Sequence, residues 1–143
     1  MAFSSSAEKR AFTRDLFSRI STRYELTNVV MSMGQVGLWR RRVAREAHLN
    51  PGDWVLDVAT GEGGLARALA HRWPGARIVG LDFTAEMLRM AQARHDGRAI
   101  HWTEGDALQI PFPGRFFAMV VNGFMLRNVT DVDDPLFAKA REL

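Results

Sequence analysis

An α/β fold built on a parallel sheet is the architecture this sequence predicts, on two observations. The first is a change of period. Residues 7–48 repeat their apolar side chains near every 3.6 positions, whereas from residue 54 onward short, continuous apolar runs alternate with amphipathic stretches. The second is a glycine-rich turn, Gly61-Glu62-Gly63-Gly64, set between an apolar run and a helical one. Strands and helices that alternate in this way close into a parallel sheet with right-handed crossovers.

The elements follow in order. Ser6 is a fitting N-cap for a helix that places Phe12, Leu16, Phe17 and Ile20 on one stripe. A second stripe runs through Tyr24, Leu26, Val29, Val30 and Met33, and Gly34 ends it. A third helix is expected from Gln35 to Leu49, stopped by Asn50-Pro51-Gly52. WVLDVA (54–59) reads as a strand buried on both faces. Leu65 to Trp73 reads as a helix closed by Pro74-Gly75, and RIVGLD (77–82) as a second strand. Thr84 is a candidate N-cap, with Met87 at the third helical position, for a helix reaching His95. AIHWTE (99–104) reads as a third strand, FFAMVVNGF (116–124) as a fourth, and Asp131 to Leu143 as a last helix. Residues 1–50 then form a helical lid and residues 51–143 a nucleotide-binding sheet, together one folding unit.

Composition narrows the chemistry. A chain of 143 residues is long enough for one modest core. It has no cysteine, so disulfides, thiol nucleophiles and cysteine-ligated metals are excluded, and a reducing cytoplasmic setting is compatible. Net charge is only +3, and among the 19 basic residues only Lys9 and Lys139 are lysines. The one dense basic run, Arg40-Arg41-Arg42 with Arg45, reads either as a solvated helix face or as a contact for phosphate or an anionic membrane surface. No apolar stretch approaches the roughly 20 residues of a membrane span, and MAFSSSAEKRAF lacks the apolar core of a secretory signal. No aromatic-basic stacking surface for nucleic acid is visible.

The glycine turn carries the ligand. Strand, G-x-G-x-x-A turn and helix together form a nucleotide fingerprint. Gly61 makes the tight turn, Gly63 admits a close ligand, and Ala66 lets the helix approach the strand. Asp82 closes the second strand about 20 residues on, where a carboxylate accepts ribose hydroxyls. NAD and S-adenosylmethionine both fit this much. Asp57, inside the first strand, favours the second, because an acid suits a sulfonium and an α-amino group and repels pyrophosphate. Glu62 within the loop points the same way, and Asp106, just after the third strand, can read an adenine amino group. The bland alternative is a tight turn with an exposed aspartate.

DLFSRISTRYELTNVVMSMG with LWRRRV (15–43), VLDVATGEGGLARALA (55–70), IVGLDFTAEMLRMA (78–91), GDALQIPFP (105–113) and GFMLRNVTDVDDPL (123–136) resemble the ubiquinone/menaquinone-biosynthesis C-methyltransferase family, a branch of the class I S-adenosylmethionine-dependent methyltransferases. The resemblance covers nearly the whole chain. RYELTN and FMLRNV are its most specific parts. It implies a Rossmann-like doubly wound sheet in which this chain holds strands in the order 3-2-1-4 and lacks the last three strands, the sequence stopping at Leu143. It implies that Asp82 with Phe83 holds the ribose, that Asp106 and Ala107 meet the adenine with Met87 either beside it or in the core, and that Gly61 and Gly63 face the methionine part. Gly123 would line the cofactor, Tyr24 close over it, and Arg127 and Asn128 stand at the substrate end. The chain departs from the family where Gly-Thr-Gly-Asp gives way to Gly61-Glu62-Gly63-Gly64 and where RYDxMN reads RYELTN.

The implied reaction is methyl transfer to a ring carbon of a prenylated quinol. Such a carbon needs its neighbouring hydroxyl deprotonated, so Arg127 would stabilise the anion or place a water, unless it is a buried partner of Asp131. His101 is the other titratable candidate, though its place within a strand suits a structural role. His48, His71 and His95 fall at helix ends without metal-ligand spacing, so no metal is expected. Three functional readings stand: a cytoplasmic, peripherally membrane-associated methyltransferase, a cofactor-binding module without turnover, and an inert fragment. Strand four, apolar on both faces, would be an exposed edge through which the chain dimerises or swaps elements.

Overall fold

The computed structural model describes residues 35–94 and 97–123. The helical stripes before Gln35, with Tyr24, lie outside the described residues, as do Arg127, Asn128 and the last helix. Described are α1 (Gln35–Glu46), β1 (Trp54–Val58), α2 (Gly64–Arg72), β2 (Arg77–Asp82), α3 (Ala85–Ala93), β3 (Ile100–Glu104) and β4 (Met119–Asn122). The four strands are all parallel and form one sheet in the order β3-β2-β1-β4, as expected. The register sets Asp57 between Gly80 on one side and Val121 on the other.

Alternation of side chains across the strands divides the core. On one face, Val55, Ile78 and Val121 pack with Ala44 of α1, with Ala47 just after it, and with Leu65, Ala66, Leu69 and Ala70 from α2. On the other, Leu56, Val58, Val79 and Leu81 are covered by Ala107, Ile110 and Phe117 from the long connection between β3 and β4. Leu56, Val55, Ile78 and Leu81 are fully buried, which is why β1 and β2 read as unbroken apolar runs. Trp73 fastens α2 to α1 by donating its indole N–H to the Ala44 carbonyl at 2.8 Å.

Two boundaries differ from expectation by three residues, the others by at most two. The fourth strand begins at Met119, not at Phe116. Phe116 and Phe117 instead join Phe112 and Trp54 in an aromatic cluster, with ring centroids 5.0 Å apart for Phe116–Phe117 and 5.2 Å for Trp54–Phe116. Ring packing wins over strand propensity there, and the ladder starts only where Ala118 N–H reaches the Trp54 carbonyl. Helix α1 closes at Glu46, because the Asn50 N–H and side chain turn to the Asp53 carboxylate.

Candidate functional site

All the described candidate residues except Met87 and the α2 end of the loop sit at the carboxyl ends of the strands. In a doubly wound sheet the crevice opens there, at the point where strand order reverses, here between β1 and β4. After β1 the chain turns through Ala59, Gly61 and Gly63 with φ of 54°, 57° and 76°. Left-handed backbone suits glycine, and Ala59 bears it at a cost of about 1–2 kcal/mol. A Cβ added at Gly61 would meet nothing within 4 Å, so that side of the loop is open. A Cβ at Gly63 would fall inside the Trp102 ring, which also lies over Gly80. The glycine at 63 thus serves a neighbouring indole as well as any ligand.

Two buried carboxylates hold this loop in shape. Asp57 accepts the Thr60 hydroxyl at 2.7 Å and the Ala66 N–H at 3.1 Å, both on Oδ2. Its Oδ1 is buried with no hydrogen-bond partner. Burial drives the Asp57 carboxyl up from 3.8 to about 7, against the pull of those two bonds and of the Arg40 charge. Asp82 accepts the Gly61 N–H at 2.8 Å on one oxygen and the Thr84 N–H at 2.9 Å on the other. Burial raises its carboxyl as well, less strongly, with the backbone donors opposing. Thr84 is the N-cap of α3 by position, yet its side chain makes no capping bond to the helix; the Asp82 carboxylate organises that turn instead.

The remaining candidates spread around these two. Asp106 accepts the Leu108 N–H at 2.9 Å, which fixes the turn after β3 and buries Ala107 beside it. Met87 is buried on α3, and Phe83 is half-buried next to Asp82. Gly123 follows β4, and a Cβ there would lie 3.9 Å from Leu65 and from Trp39 of α1. Glu62 turns away: its buried carboxylate pairs with Arg94, just past α3, at 2.9 Å. His101 is exposed on β3 and leans on Trp54 at a centroid distance of 5.5 Å. Among the described residues no three metal-ligating side chains converge.

The basic run of α1 divides. Arg42 pairs with Glu46 at 2.9 Å in full solvent, and Arg41 and Arg45 are exposed, a solvated face. Arg40 instead is half-buried and lays its guanidinium against Gly64, at the first turn of α2. Neither Arg40 nor Trp102 was singled out as part of the site from sequence. The nearest signal was Gly64 itself, a second small residue where the helix could already have begun.

A family model described as the ubiE/COQ5 methyltransferase family matches residues 4–143. The ubiquinone/menaquinone biosynthesis C-methyltransferase UbiE of Desulfotalea psychrophila is 40% identical over 121 residues, covering 85% of this chain and 49% of that protein. The demethylmenaquinone methyltransferase of Deinococcus radiodurans is 40% identical over 126 residues, covering 87% and 52%. A 2-phytyl-1,4-naphtoquinone methyltransferase of Synechocystis is 36% identical over 138 residues, covering 91% and 57%. The chain thus spans about half the length of the curated relatives it matches. Among solved structures, a SAM-dependent methyltransferase from Aquifex aeolicus superposes with a TM-score of 0.61 at 20% identity, covering 72% of this chain and 56% of that one. That likeness establishes the Rossmann-like fold. The match over residues 4–143, together with 40% identity across most of the chain, shows that it belongs to the ubiE/COQ5 methyltransferase family.

Proposed function

We propose that the chain binds S-adenosylmethionine at the carboxyl ends of β1, β2 and β3, as the cofactor-binding part of a C-methyltransferase acting on a prenylated quinol. The observation that carries the reading is the unpartnered, buried Oδ1 of Asp57 beneath an open glycine turn. A buried carboxylate oxygen without a donor is costly. An ammonium group supplies the missing donor, and a dinucleotide pyrophosphate does not. The curated relatives are named for quinone methylation, which supports the substrate class.

The residues fit the ligand in parts. Asp82, at the carboxyl end of β2 with its oxygens held by the Gly61 and Thr84 N–H groups, is the acid placed to receive the ribose hydroxyls. Asp106 and Ala107, on the ordered turn after β3, meet the adenine, with Met87 and Phe83 as apolar neighbours. Gly61 and Gly63 leave the methionine end room, and Gly123 closes the wall on the β4 side. The cofactor supplies a methyl group activated on a sulfonium. The protein aligns a ring carbon with it and holds the charge of the ionised quinol. Arg127 serves that charge, with Asn128 beside it at the substrate end and Tyr24 over the cofactor. The guanidinium acts as an electrostatic partner and not as a base, since its pKa lies above about 12. Trp39, partly exposed near Gly123, offers apolar surface to a prenyl chain, and the exposed Arg41 and Arg45 face an anionic membrane surface.

Calorimetric titration of S-adenosylmethionine into the chain, with NAD as control, tests the reading. Saturable binding that Asp82→Ala abolishes, followed by methyl transfer to a prenylated quinol, is the expected result. Binding without transfer would leave a cofactor-binding module, and NAD binding in preference would overturn the ligand.

A further inference from the structure

We infer that the opposite end of the sheet holds a second ligand site: a cleft at the amino ends of the strands that takes the phosphate group of a soluble ligand on Arg77 and His101, against a wall made by Trp54. The inference stands apart from the S-adenosylmethionine reading, whose residues lie at the carboxyl ends. The six residues of β2 separate the two ends, roughly 16 Å at about 3.3 Å per residue.

Three observations converge there. First, the surface is concave. A cavity of about 470 Å³, within the size range of small-ligand pockets, lies between the starts of β1, β2 and β3 and the turn Pro74-Gly75-Ala76. Second, the register sets three suited side chains in one row. Trp54 pairs with Arg77 across β1 and β2, and His101 pairs with Val79, two residues beyond Arg77 on the same face. The Arg77 Cζ lies 5.3 Å from the centre of the indole and the His101 ring 5.5 Å from it. Third, no acid matches the charge. Arg42, Arg89 and Arg94 each pair with a glutamate, whereas among the described residues no carboxylate pairs with Arg77 and none lines the cleft. Asp53, just before β1, accepts the Asn50 N–H on its carboxylate and the Arg77 N–H on its carbonyl, at 2.8 Å each.

A guanidinium over an indole gives its face to the ring and keeps its in-plane N–H groups for another partner. Those donors match phosphate oxygens, and an imidazole N–H from His101 adds a second point of contact from the next strand. A tetrahedral phosphate, with oxygens in several directions, serves both donors at once. The rim is held in place: the Gly52 N–H reaches the Gly75 carbonyl at 2.8 Å, and Arg98, also lining the cleft, donates to His71 Nδ1 of α2 at 3.3 Å. A concave wall with cations and no acid focuses the field that draws an anion in.

Inorganic pyrophosphate is the probe, titrated calorimetrically into the 143-residue chain at fixed ionic strength. Wild type should bind it saturably, one per chain. R77Q should weaken binding about 10- to 100-fold, the scale of hydrogen bonds to a charged group. H101F, which keeps a ring against Trp54 and removes the N–H, should weaken it about 10-fold. R77K should fall between wild type and R77Q, since an ammonium restores the charge without the fork. R89Q removes an exposed arginine of α3 and should leave affinity within about 2-fold. Equal losses in R77Q and R89Q would mean attraction to net charge alone and would overturn the inference. So would a wild-type chain that shows no saturable binding, a result that needs no variant to fold. Displacement of pyrophosphate by S-adenosylmethionine would put the anion in the crevice at the other end and overturn the site. Capture by vesicles of phosphatidic acid without binding of free pyrophosphate would overturn the soluble ligand.

Discussion

Asp57, near the end of β1, couples its proton to the fold and, in the proposed site, to the ligand. Its carboxyl is raised from 3.8 to about 7 because burial outweighs two hydrogen bonds and a nearby arginine. The sign follows from which state holds the proton. Between pH 4 and 7 the unfolded chain has released it and the folded chain has not. Stability therefore falls as pH rises through that window, by at most about 4 kcal/mol at 1.36 kcal/mol per pKa unit, and is level above it. Asp57→Asn should remove this slope, as measured by urea unfolding at either end of the window. Ligand affinity should run the opposite way, rising through about pH 7 in wild type as the carboxylate forms, and flat in the variant. Asp82→Asn addresses the partner acid. It keeps an acceptor for one loop amide and loses the charge, so it should weaken S-adenosylmethionine by about 10-fold or more while costing about 1–3 kcal/mol of stability. A titration and a melting curve on the same sample separate the two effects. Both acids were legible from their spacing to the glycines. Which oxygen was left over was not, because it depends on Thr60 and Ala66 arriving from opposite ends of the turn.

At the scale of elements, the strands were legible wherever burial was symmetrical and less so where it was not. β1 and β2, apolar on both faces, have nearly the predicted bounds. β4 was misjudged at its start because Phe116 and Phe117 look like strand residues and pack as an aromatic cap on the sheet's other face. The start of α2 was blurred by the loop, which opens it on a left-handed glycine one residue before the expected Leu65, whereas α3 starts after Thr84 as expected, on a turn held by Asp82. The expected strand order put β3 beside β2, but the seating of Trp102 on two glycines was not foreseen. The Trp102 ring fills the space above Gly80 and Gly63, so these glycines are small for the sake of an indole on the adjacent strand. Gly80→Ala should therefore destabilise by about 1–3 kcal/mol through overpacking. In a Trp102→Leu background the same substitution should cost at least about 1 kcal/mol less, a coupling that a double-mutant cycle on denaturant midpoints measures directly. Additive costs would mean that Thr60, whose methyl is the next neighbour of that Cβ at 3.0 Å, sets the limit instead.

The whole sheet has two ends that differ in kind. Its fold class and strand order were legible because strand and helix alternate throughout; the distribution of charge around the loop required Arg40 to be brought back across α1, more than twenty positions upstream of Gly64. β4 pairs with β1 on one side and, among the described residues, with nothing on the other. Val120 and Val121 engage the two cores from opposite faces, so the outer main chain of β4 is backed by a firm, apolar strand. Such an edge pairs readily with a second strand of its own kind. The 143-residue chain should accordingly form a dimer as concentration rises, detectable as a doubling of mass in sedimentation velocity, and a chain that stays monomeric at its highest soluble concentration would refute this. The residues proposed for the ligand, Asp57, Asp82 and Asp106, belong to β1, β2 and the turn after β3, on the inner side of β4. Pairing along the outer edge should then leave S-adenosylmethionine affinity unchanged between dilute and concentrated samples. An affinity that tracks the dimer fraction would place the association at the mouth of the crevice, against Trp39 and Gly123, and not along the strand.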